Sequence, residues 1–150
     1  MQGKAPAEPF DIRPLTKIDA DQALALYTEL TIGPDCVDTD AFHRVLAHPG
    51  TIVMGSFVAD DLVAMVTLHI LPNVTWQGRP YALVENVVTT DRHRQQGWGR
   101  AVMNAVLDLA WEANCYKVML MTGQGRGAKG FYTAIGFSSE DKFAMVMRRP

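Results

Sequence analysis

The chain has 150 residues, 48% of them hydrophobic and 20% charged, and its formal net charge is −2. This composition excludes a disordered or fibrous chain, and the small negative charge gives no electrostatic bias toward nucleic acid. The sequence has no apolar run near the roughly 20 residues of a membrane span. We therefore expect a cytoplasmic protein of one domain, with neither a nucleic-acid nor a membrane partner.

The polar residues 1–9 predict a flexible N-terminal tail, so the domain is expected to occupy residues 10–150. Apolar periodicity then predicts the helices and strands in chain order. The first half is expected to contain a strand at 10–14, a helix capped by Asp19 or Asp21 that ends before Gly33, a helix at 39–47, and a β-hairpin of 51–58 and 62–71. The second half is expected to contain a strand at 81–90, a helix at 98–113, a strand at 116–121, a short helix at 128–135 and a strand at 143–147. Between the hairpin and the next strand we expect an irregular loop. This order indicates a mixed α/β class around one sheet.

The loop after the strand at 81–90 has a composition suited to binding phosphate. Gly97 and Gly99 allow the backbone to approach a ligand closely. The helix that follows presents free N–H groups and the positive end of its dipole. Arg94 and Arg100 add guanidinium groups, each of which can bind two oxygens of a phosphate at once. A solvated basic turn would have the same residues, but the apolar strand before the loop and the amphipathic helix after it favour a phosphate site.

Three motifs, in this order, resemble the GNAT superfamily of N-acetyltransferases. Arg94-x-x-Gly97-x-Gly99 is similar to the family's acetyl-CoA signature, Q/R-x-x-G-x-G/A. The strand Glu85-Asn86-Val87-Val88 precedes it, and Ala128-x-x-Phe131-Tyr132-x-x-x-Gly136-Phe137 follows it. The resemblance implies a single-domain GNAT acyltransferase fold, in which about four helices flank a mixed, mostly antiparallel central sheet. It also implies a homodimer.

The resemblance further implies that acetyl-CoA is the co-substrate. No metal is expected, because the four histidines and two cysteines do not have the spacing of metal ligands. The pantetheine arm of acetyl-CoA would pair with the backbone of Val87 and Val88 like an added strand, and its pyrophosphate would bind backbone N–H groups from Gln95 to Arg100. The cofactor-binding residues predicted in this way are Val87, Val88, Thr89, Arg94, Gln95, Gln96, Gly97, Trp98, Gly99, Arg100 and Phe131. In this family the strand that carries Val87 usually has a bulge, which the sequence alone does not reveal.

Two residues are predicted to be catalytic. Glu85 is a carboxylate in an apolar strand, so it is a general base for the acceptor ammonium, part of a structural ion pair, or a residue at an edge position that faces solvent. Tyr132, with a reference pKa of about 10, is suited to protonating the departing thiolate of CoA. A half-buried tyrosine with its hydroxyl at the surface is the structural alternative. The resemblance favours the catalytic role for both residues.

The glycine-rich loop before Tyr132 departs from the family pattern, because Gly125 stands where many members have an asparagine. In the same loop, Gly123-x-Gly125-x-x-Ala128 matches a dinucleotide-binding fingerprint. Only 22 residues follow Ala128, too few for a dinucleotide domain that begins there. Arg126 and Lys129 are either contacts for the 3′-phosphate of CoA or solvated surface charges.

The sequence therefore predicts an enzyme that transfers an acetyl group from acetyl-CoA to a primary amine of a small molecule by direct attack. Short segments at 85–88, 114–118 and 130–132 are similar to glucosamine-6-phosphate N-acetyltransferases, which makes that acceptor an alternative. A non-catalytic acetyl-CoA-binding regulatory module is an alternative of another class, although binding alone would need neither Glu85 nor Tyr132.

Overall fold

The computed structural model describes residues 10–150, and the tail expected at residues 1–9 lies outside the described residues. The chain divides into two compact units, one ending at Met119 and the other spanning Leu120–Pro150. The described helices and strands, in chain order, are β1 Phe10–Pro14, α1 Ala20–Leu30, α2 Thr39–Ala47, β2 Thr51–Val58, β3 Asp61–Leu71, α3 Thr75–Gly78, β4 Tyr81–Thr89, α4 Trp98–Glu112, β5 Val118–Leu120 and α5 Lys129–Ile135. The predicted α/β class is confirmed, and the expected boundaries of a single domain stay a prediction.

The strands form one sheet in the order β1-β2-β3-β4-β5. The first three pairings are antiparallel, and the predicted hairpin of β2 and β3 is confirmed. The helix α4 lies between β4 and β5 in the chain, and the Ala82 N–H donates to the Lys117 carbonyl over 3.0 Å at the start of that pairing. β4 is therefore an interior strand, with β3 on one side and β5 on the other.

Helices cover the two central strands on both faces. The residues of β2 and most of those of β3 are buried without alternation, which explains why their sequences are almost continuously apolar. Met65 on β3 belongs to a cluster with residues of α1 and α2, whereas α4 packs chiefly on β3 and β2 through Val102, Met103 and Val106. Adjacent residues of a strand point to opposite faces of the sheet. The pairing of the strands therefore shows which face of the sheet carries Glu85, the acidic residue of β4, and which face carries the start of α4.

A partly buried ion pair joins β1 to the start of α1. The Arg13 guanidinium donates to both carboxylate oxygens of Asp19 over 2.9 Å, and the Thr16 N–H donates to the same carboxylate over 2.8 Å. Asp19 precedes α1 as predicted, but its side chain makes these contacts and no capping bond to the helix. The pairing with Arg13 lowers the pKa of Asp19, with burial opposing and the Thr16 N–H reinforcing the shift.

The segment 72–80, predicted as an irregular loop, contains the single turn α3. Trp76 and Gln77 have φ of 53° and 59°, so the turn is left-handed. The Trp76 ring stacks on the Tyr116 ring at 5.4 Å, which holds the turn against the residues before β5. β5 itself is shorter than the strand predicted at 116–121.

In the second unit, the strand predicted at 143–147 is wrong. These residues have no regular secondary structure, and Phe143 and Met147 are each 98% exposed. A strand is stable only when its backbone groups pair with a neighbouring strand, and the described residues provide 143–147 with no such partner. Local apolar composition alone therefore did not produce a strand.

No helix among residues 10–150 is long and apolar enough to cross a membrane.

Candidate active site

β4 carries a bulge in its second half. The β3 residue between Met65 and Thr67 faces two residues of β4, Asn86 and Val87. Asn86 has a φ of 51°, a left-handed conformation that asparagine tolerates better than most residues. Bulges re-aim neighbouring side chains and often lie beside active sites. The structure thus contains the bulge that the family resemblance implied, and Asn86 is the residue whose importance the sequence analysis missed.

Glu85 lies immediately before this bulge and is half-buried. Its partner across the ladder is Thr67 of β3, so the two side chains point to the same face of the sheet. That face is the one covered by α1 and α2, because Val53, the β2 partner of Thr67, belongs to their apolar cluster. Within the described part of the chain no salt bridge joins Glu85 to another residue.

The loop after β4 leads into an α-helix whose first turn is open. Gly97 is the N-cap residue of α4 and has a φ of 91°, a conformation that requires glycine. The first N–H of this helix to bond within it is that of Ala101, which donates to the Gly97 carbonyl over 2.9 Å. The N–H groups of residues 98–100 are therefore left for an external acceptor, and the helix dipole favours a negative one.

The predicted side-chain ligands in this loop are in three different situations. Arg94 is exposed, but its guanidinium pairs with Asp91 and donates to the Thr89 carbonyl over 3.3 Å. Arg100 is exposed on the first turn of α4, where it can reach an anion. Trp98 is buried beneath the loop, with its indole N–H donating to Gln96 over 3.3 Å. Only the backbone of Trp98 is therefore available to a cofactor.

The strand predicted to pair with the pantetheine arm has apolar side chains at Val87 and Val88. The Val88 side chain is buried in the cluster beneath α1 and α2, while Val87 is half-buried. Neither side chain offers a polar group, so any hydrogen bond to a cofactor arm has to come from their backbone. Pairing of a backbone with an extended ligand is the usual mode of β-augmentation.

The second unit contains Tyr132 on α5. The Tyr132 ring contacts Phe131 edge-on at 5.1 Å and Phe137 at 6.1 Å. Burial raises the pKa of the phenol above its ordinary value, and the nearby Arg126 cation opposes the rise. A phenol in this environment remains protonated at neutral pH, so it can donate a proton.

The glycine-rich loop that precedes α5 forms a short 3-10 turn at Gln124–Arg126. Gly127 follows this turn with a φ of 68°, and Gly125 and Gly127 have open space where a Cβ atom would lie. Lys129 is 3.9 Å from Glu140, and both side chains are exposed. Among residues 10–150 no group of histidine, cysteine and carboxylate side chains could hold a metal ion.

The sequence analysis also missed a set of polar side chains on the Glu85 face of the sheet. The Thr67 hydroxyl is buried, and the phenol of Tyr27 from α1 lies beside it. Further along the same strands, the Thr51 hydroxyl lies 2.9 Å from Nδ1 of His48 and 2.8 Å from Nδ1 of His69. No sequence motif marks these residues, because the register of β2, β3 and β4 and the packing of α1 and α2 bring them to one face.

Comparison with known proteins identifies the family. The acetyltransferase (GNAT) family model matches residues 17–137, which is most of the chain. The chain belongs to the acetyltransferase (GNAT) family. A protein from Agrobacterium tumefaciens str. C58 assigned as an acetyltransferase has a similar structure, with 36% sequence identity, a TM-score of 0.88 and coverage of 93% of this chain and 99% of that one.

Two relatives of this GNAT protein have named acceptors. The glucosamine 6-phosphate N-acetyltransferase of Trypanosoma brucei brucei is 28% identical over 137 residues, which cover 89% of this chain and 92% of the relative. The crystal structure of the Arabidopsis thaliana glucosamine-6-phosphate N-acetyltransferase has a TM-score of 0.80 at 22% identity and covers 95% of this chain and 99% of that one. At that identity the second comparison supports the fold alone.

Proposed function

We propose that this GNAT protein transfers an acetyl group from acetyl-CoA to a primary amine of a small molecule. The observation that carries the proposal is the bulged strand β4 running into the open first turn of α4, in a chain of the acetyltransferase family. A strand edge beside a bulge suits an extended thiol arm. A helix start with free N–H groups suits its pyrophosphate.

In the proposed reaction the acceptor amine attacks the thioester carbonyl directly. Glu85 takes a proton from the acceptor ammonium, either directly or through a water molecule, so that the neutral amine can form the new C–N bond. The backbone N–H of Val87 stabilises the negative charge on the carbonyl oxygen. When the C–S bond breaks, Tyr132 donates its phenolic proton to the CoA thiolate. The nitrogen of the tetrahedral intermediate loses its second proton, which returns through solvent to the Tyr132 phenolate, and Glu85 releases the first proton to solvent.

Glucosamine 6-phosphate is a candidate acceptor. The 28% identity with the T. brucei brucei enzyme across nearly all of both chains supports it. Other members of the family with similar structures act on other amines, including an aminoglycoside acetyltransferase with a TM-score of 0.81 at 16% identity. The proposal therefore commits to an amine of a small molecule, with the amino sugar phosphate as the first to test. Homodimeric assembly and cytoplasmic location are part of the same proposal.

Thiol release from acetyl-CoA, measured against a panel of amines, tests this function. The panel should contain glucosamine 6-phosphate, glucosamine, an aminoglycoside and a lysine-containing peptide. We expect turnover with a small-molecule amine and loss of that turnover in Glu85→Gln, a variant that keeps the size of the side chain. Tight binding of acetyl-CoA without turnover of any amine would instead support a non-catalytic binding module.

A further inference from the structure

Thr67 is a buried residue of β3 whose hydroxyl is not explained by packing. Its side chain is 2% exposed, and its Oγ1 has no hydrogen bond of normal geometry among the described residues. A buried hydroxyl without a partner is destabilising, so such groups are rare and often belong to functional sites. Valine has nearly the same shape and would fill this position without that penalty.

The position of Thr67 relative to Glu85 supplies a reason for the hydroxyl. The two residues are direct partners in the β3–β4 register, and side chains paired in this way have Cβ atoms about 4.5–5.5 Å apart. At that separation a hydroxyl reaches a carboxylate after rotation about side-chain bonds alone. The bulge begins at the next residue of β4, Asn86, so this pair lies at the edge of the proposed reaction centre.

Tyr27 of α1 provides a second contact for the same hydroxyl. Burial raises the pKa of the Tyr27 phenol, and a hydrogen bond from the Thr67 hydroxyl to the phenolate form opposes that rise. While the phenol is neutral, its own hydrogen can be donated to the Thr67 oxygen instead. A threonine hydroxyl has one hydrogen to donate and two lone pairs to accept with. It can therefore accept from the phenol and donate to a carboxylate at the same time.

We propose that Thr67 is the positioning residue for Glu85, through a hydrogen-bond chain in which Tyr27 donates to Thr67 and Thr67 donates to the Glu85 carboxylate. No proton is transferred along this chain. It holds the carboxylate oriented toward the acceptor side of the bulge. The inference rests on the proposed function only in giving Glu85 the role of base.

Few other titratable groups lie on this face of the sheet. Tyr27 comes from α1, and Cys36 lies in the segment between α1 and α2, where it influences Tyr27. His69 lies two positions beyond Thr67 on β3, and the Thr51 hydroxyl lies between it and His48 at the end of α2. His43 of α2 has a buried Nε2. No salt bridge holds Glu85 within the described residues. The Thr67 hydroxyl is therefore the neutral donor best placed to favour the charged form of the carboxylate.

The test is a direct titration of the Glu85 carboxyl carbon by carbon-13 NMR, with the signal assigned by its loss in Glu85→Gln. Removing a donor to a carboxylate raises its pKa. In Thr67→Val we therefore expect the Glu85 titration to move to higher pH, by roughly half a unit to one unit, and in Thr67→Ser to return toward that of the natural protein. An unchanged titration in Thr67→Val overturns the proposal, whether or not the protein turns over an amine.

Kinetics provide the second readout. We expect kcat/KM of Thr67→Val to fall by about 3- to 10-fold, the effect of one hydrogen bond, and its acid limb to move to higher pH with the NMR titration. A wild-type acid limb in this variant also overturns the proposal.

Thr51→Val is the matched control. Thr51 is a buried threonine on the same face, but its hydroxyl lies within hydrogen-bond distance of two histidines. We expect this variant to melt at a lower temperature and to keep the Glu85 titration of the natural protein. A shift of that titration as large as the one in Thr67→Val would overturn the assignment of the effect to Thr67. An inactive natural protein would contradict the proposed function, and the NMR result would still decide the inference.

Discussion

Glu85 and Asn86 are neighbours in β4 with different physical roles. Glu85 supplies a carboxylate to the face covered by α1 and α2, while Asn86 supplies the left-handed backbone that forms the bulge. Sequence patterns identify a carboxylate in an apolar strand because burying a charge is costly. They do not identify a single left-handed residue, because asparagine occurs in many conformations. The chemical group could therefore be predicted and its geometric setting could not.

The proton donor is tested by Tyr132→Phe, which removes the hydroxyl and keeps the ring that contacts Phe131 and Phe137. We expect kcat to fall 10-fold or more, as is usual for loss of a general acid. Affinity for acetyl-CoA should not change. Tyr116→Phe, which alters a phenol of the first unit, is the control. An unchanged kcat in Tyr132→Phe would remove this residue from the mechanism.

The pH dependence of the natural enzyme follows from the same phenol. In the folded protein the pKa of Tyr132 lies above its ordinary value of 10.0. The protonated phenol therefore persists through neutral pH and is lost only as the pH rises past the pKa of the folded protein. We expect the alkaline limb of kcat that comes from this residue to lie above pH 10. Tyr132→Phe should lack that limb, which a pH–rate profile of both proteins measures.

Among the helices and strands, β4 has a bulge that depends on the backbone conformation of one residue, Asn86. At a φ of 51°, a residue with a Cβ atom is strained by about 1–2 kcal/mol, and β-branched residues fit worst. We expect Asn86→Val to be destabilised by about that amount and to bind acetyl-CoA more weakly, because the bulge is lost or displaced. Asn86→Gly should keep both properties. Urea unfolding and calorimetric titration with acetyl-CoA measure them, and equal behaviour of the two variants would contradict a role for the left-handed conformation.

The junction of β1 and α1 depends on the Arg13–Asp19 pair. Asp19→Asn should lower the free energy of unfolding by about 1.5–3 kcal/mol at pH 7, the value of hydrogen bonds to a charged group. Asp11→Asn is the control. Asp11 is also near Arg13, at 3.9 Å, but its side chain is exposed, so its loss should have little effect.

The sign of the pH effect at this junction is fixed by the lowered pKa of Asp19. The unfolded chain binds this proton near pH 4, whereas the folded chain binds it at lower pH. The stabilisation is therefore complete above about pH 4 and is lost as pH falls through the folded pKa. Urea unfolding at pH 7 and pH 3 should show the difference between Asp19→Asn and the natural protein shrinking at pH 3, and a constant difference would contradict this linkage.

Elements with strong apolar periodicity could be predicted from the sequence, and those that depend on distant partners could not. The helix at 39–47 and the β2–β3 hairpin have the predicted positions, because their apolar patterns and turn residues act locally. The strand predicted at 143–147 failed because a strand needs a neighbour that local sequence does not supply. Thr67 was missed because only the register of β3 and β4 brings it to Glu85, and Tyr27 was missed because only the packing of α1 on the sheet brings it to Thr67.

At the scale of the whole molecule, the homodimer stays a prediction, and residues 143–147 are where we expect the two copies to meet. Phe143, Met145 and Met147 are each more than nine-tenths exposed, and an exposed apolar segment of this kind marks an interaction surface. We expect light scattering to give twice the mass of 16.6 kDa for the natural protein and the single mass for a variant with these three residues changed to serine.

Ile32→Ser, which changes another fully exposed apolar residue, is the control and should remain dimeric. A natural protein of single mass would contradict the homodimer. A dimer that persists in the triple variant would place the contact elsewhere on the surface.

The burial of Trp98 beneath the loop between β4 and α4 gives the molecule an intrinsic optical signal. Of its three tryptophans, Trp76 and Trp111 are more than half exposed, while Trp98 is 8% exposed and contacts the Phe10 ring at 5.6 Å. Iodide should quench the first two and leave emission from Trp98, whose indole is bonded to Gln96 in the loop itself. We expect that remaining emission to change as CoA is added and the change to vanish in Trp98→Phe. Ligand binding could then be followed without a label and without knowledge of the acceptor.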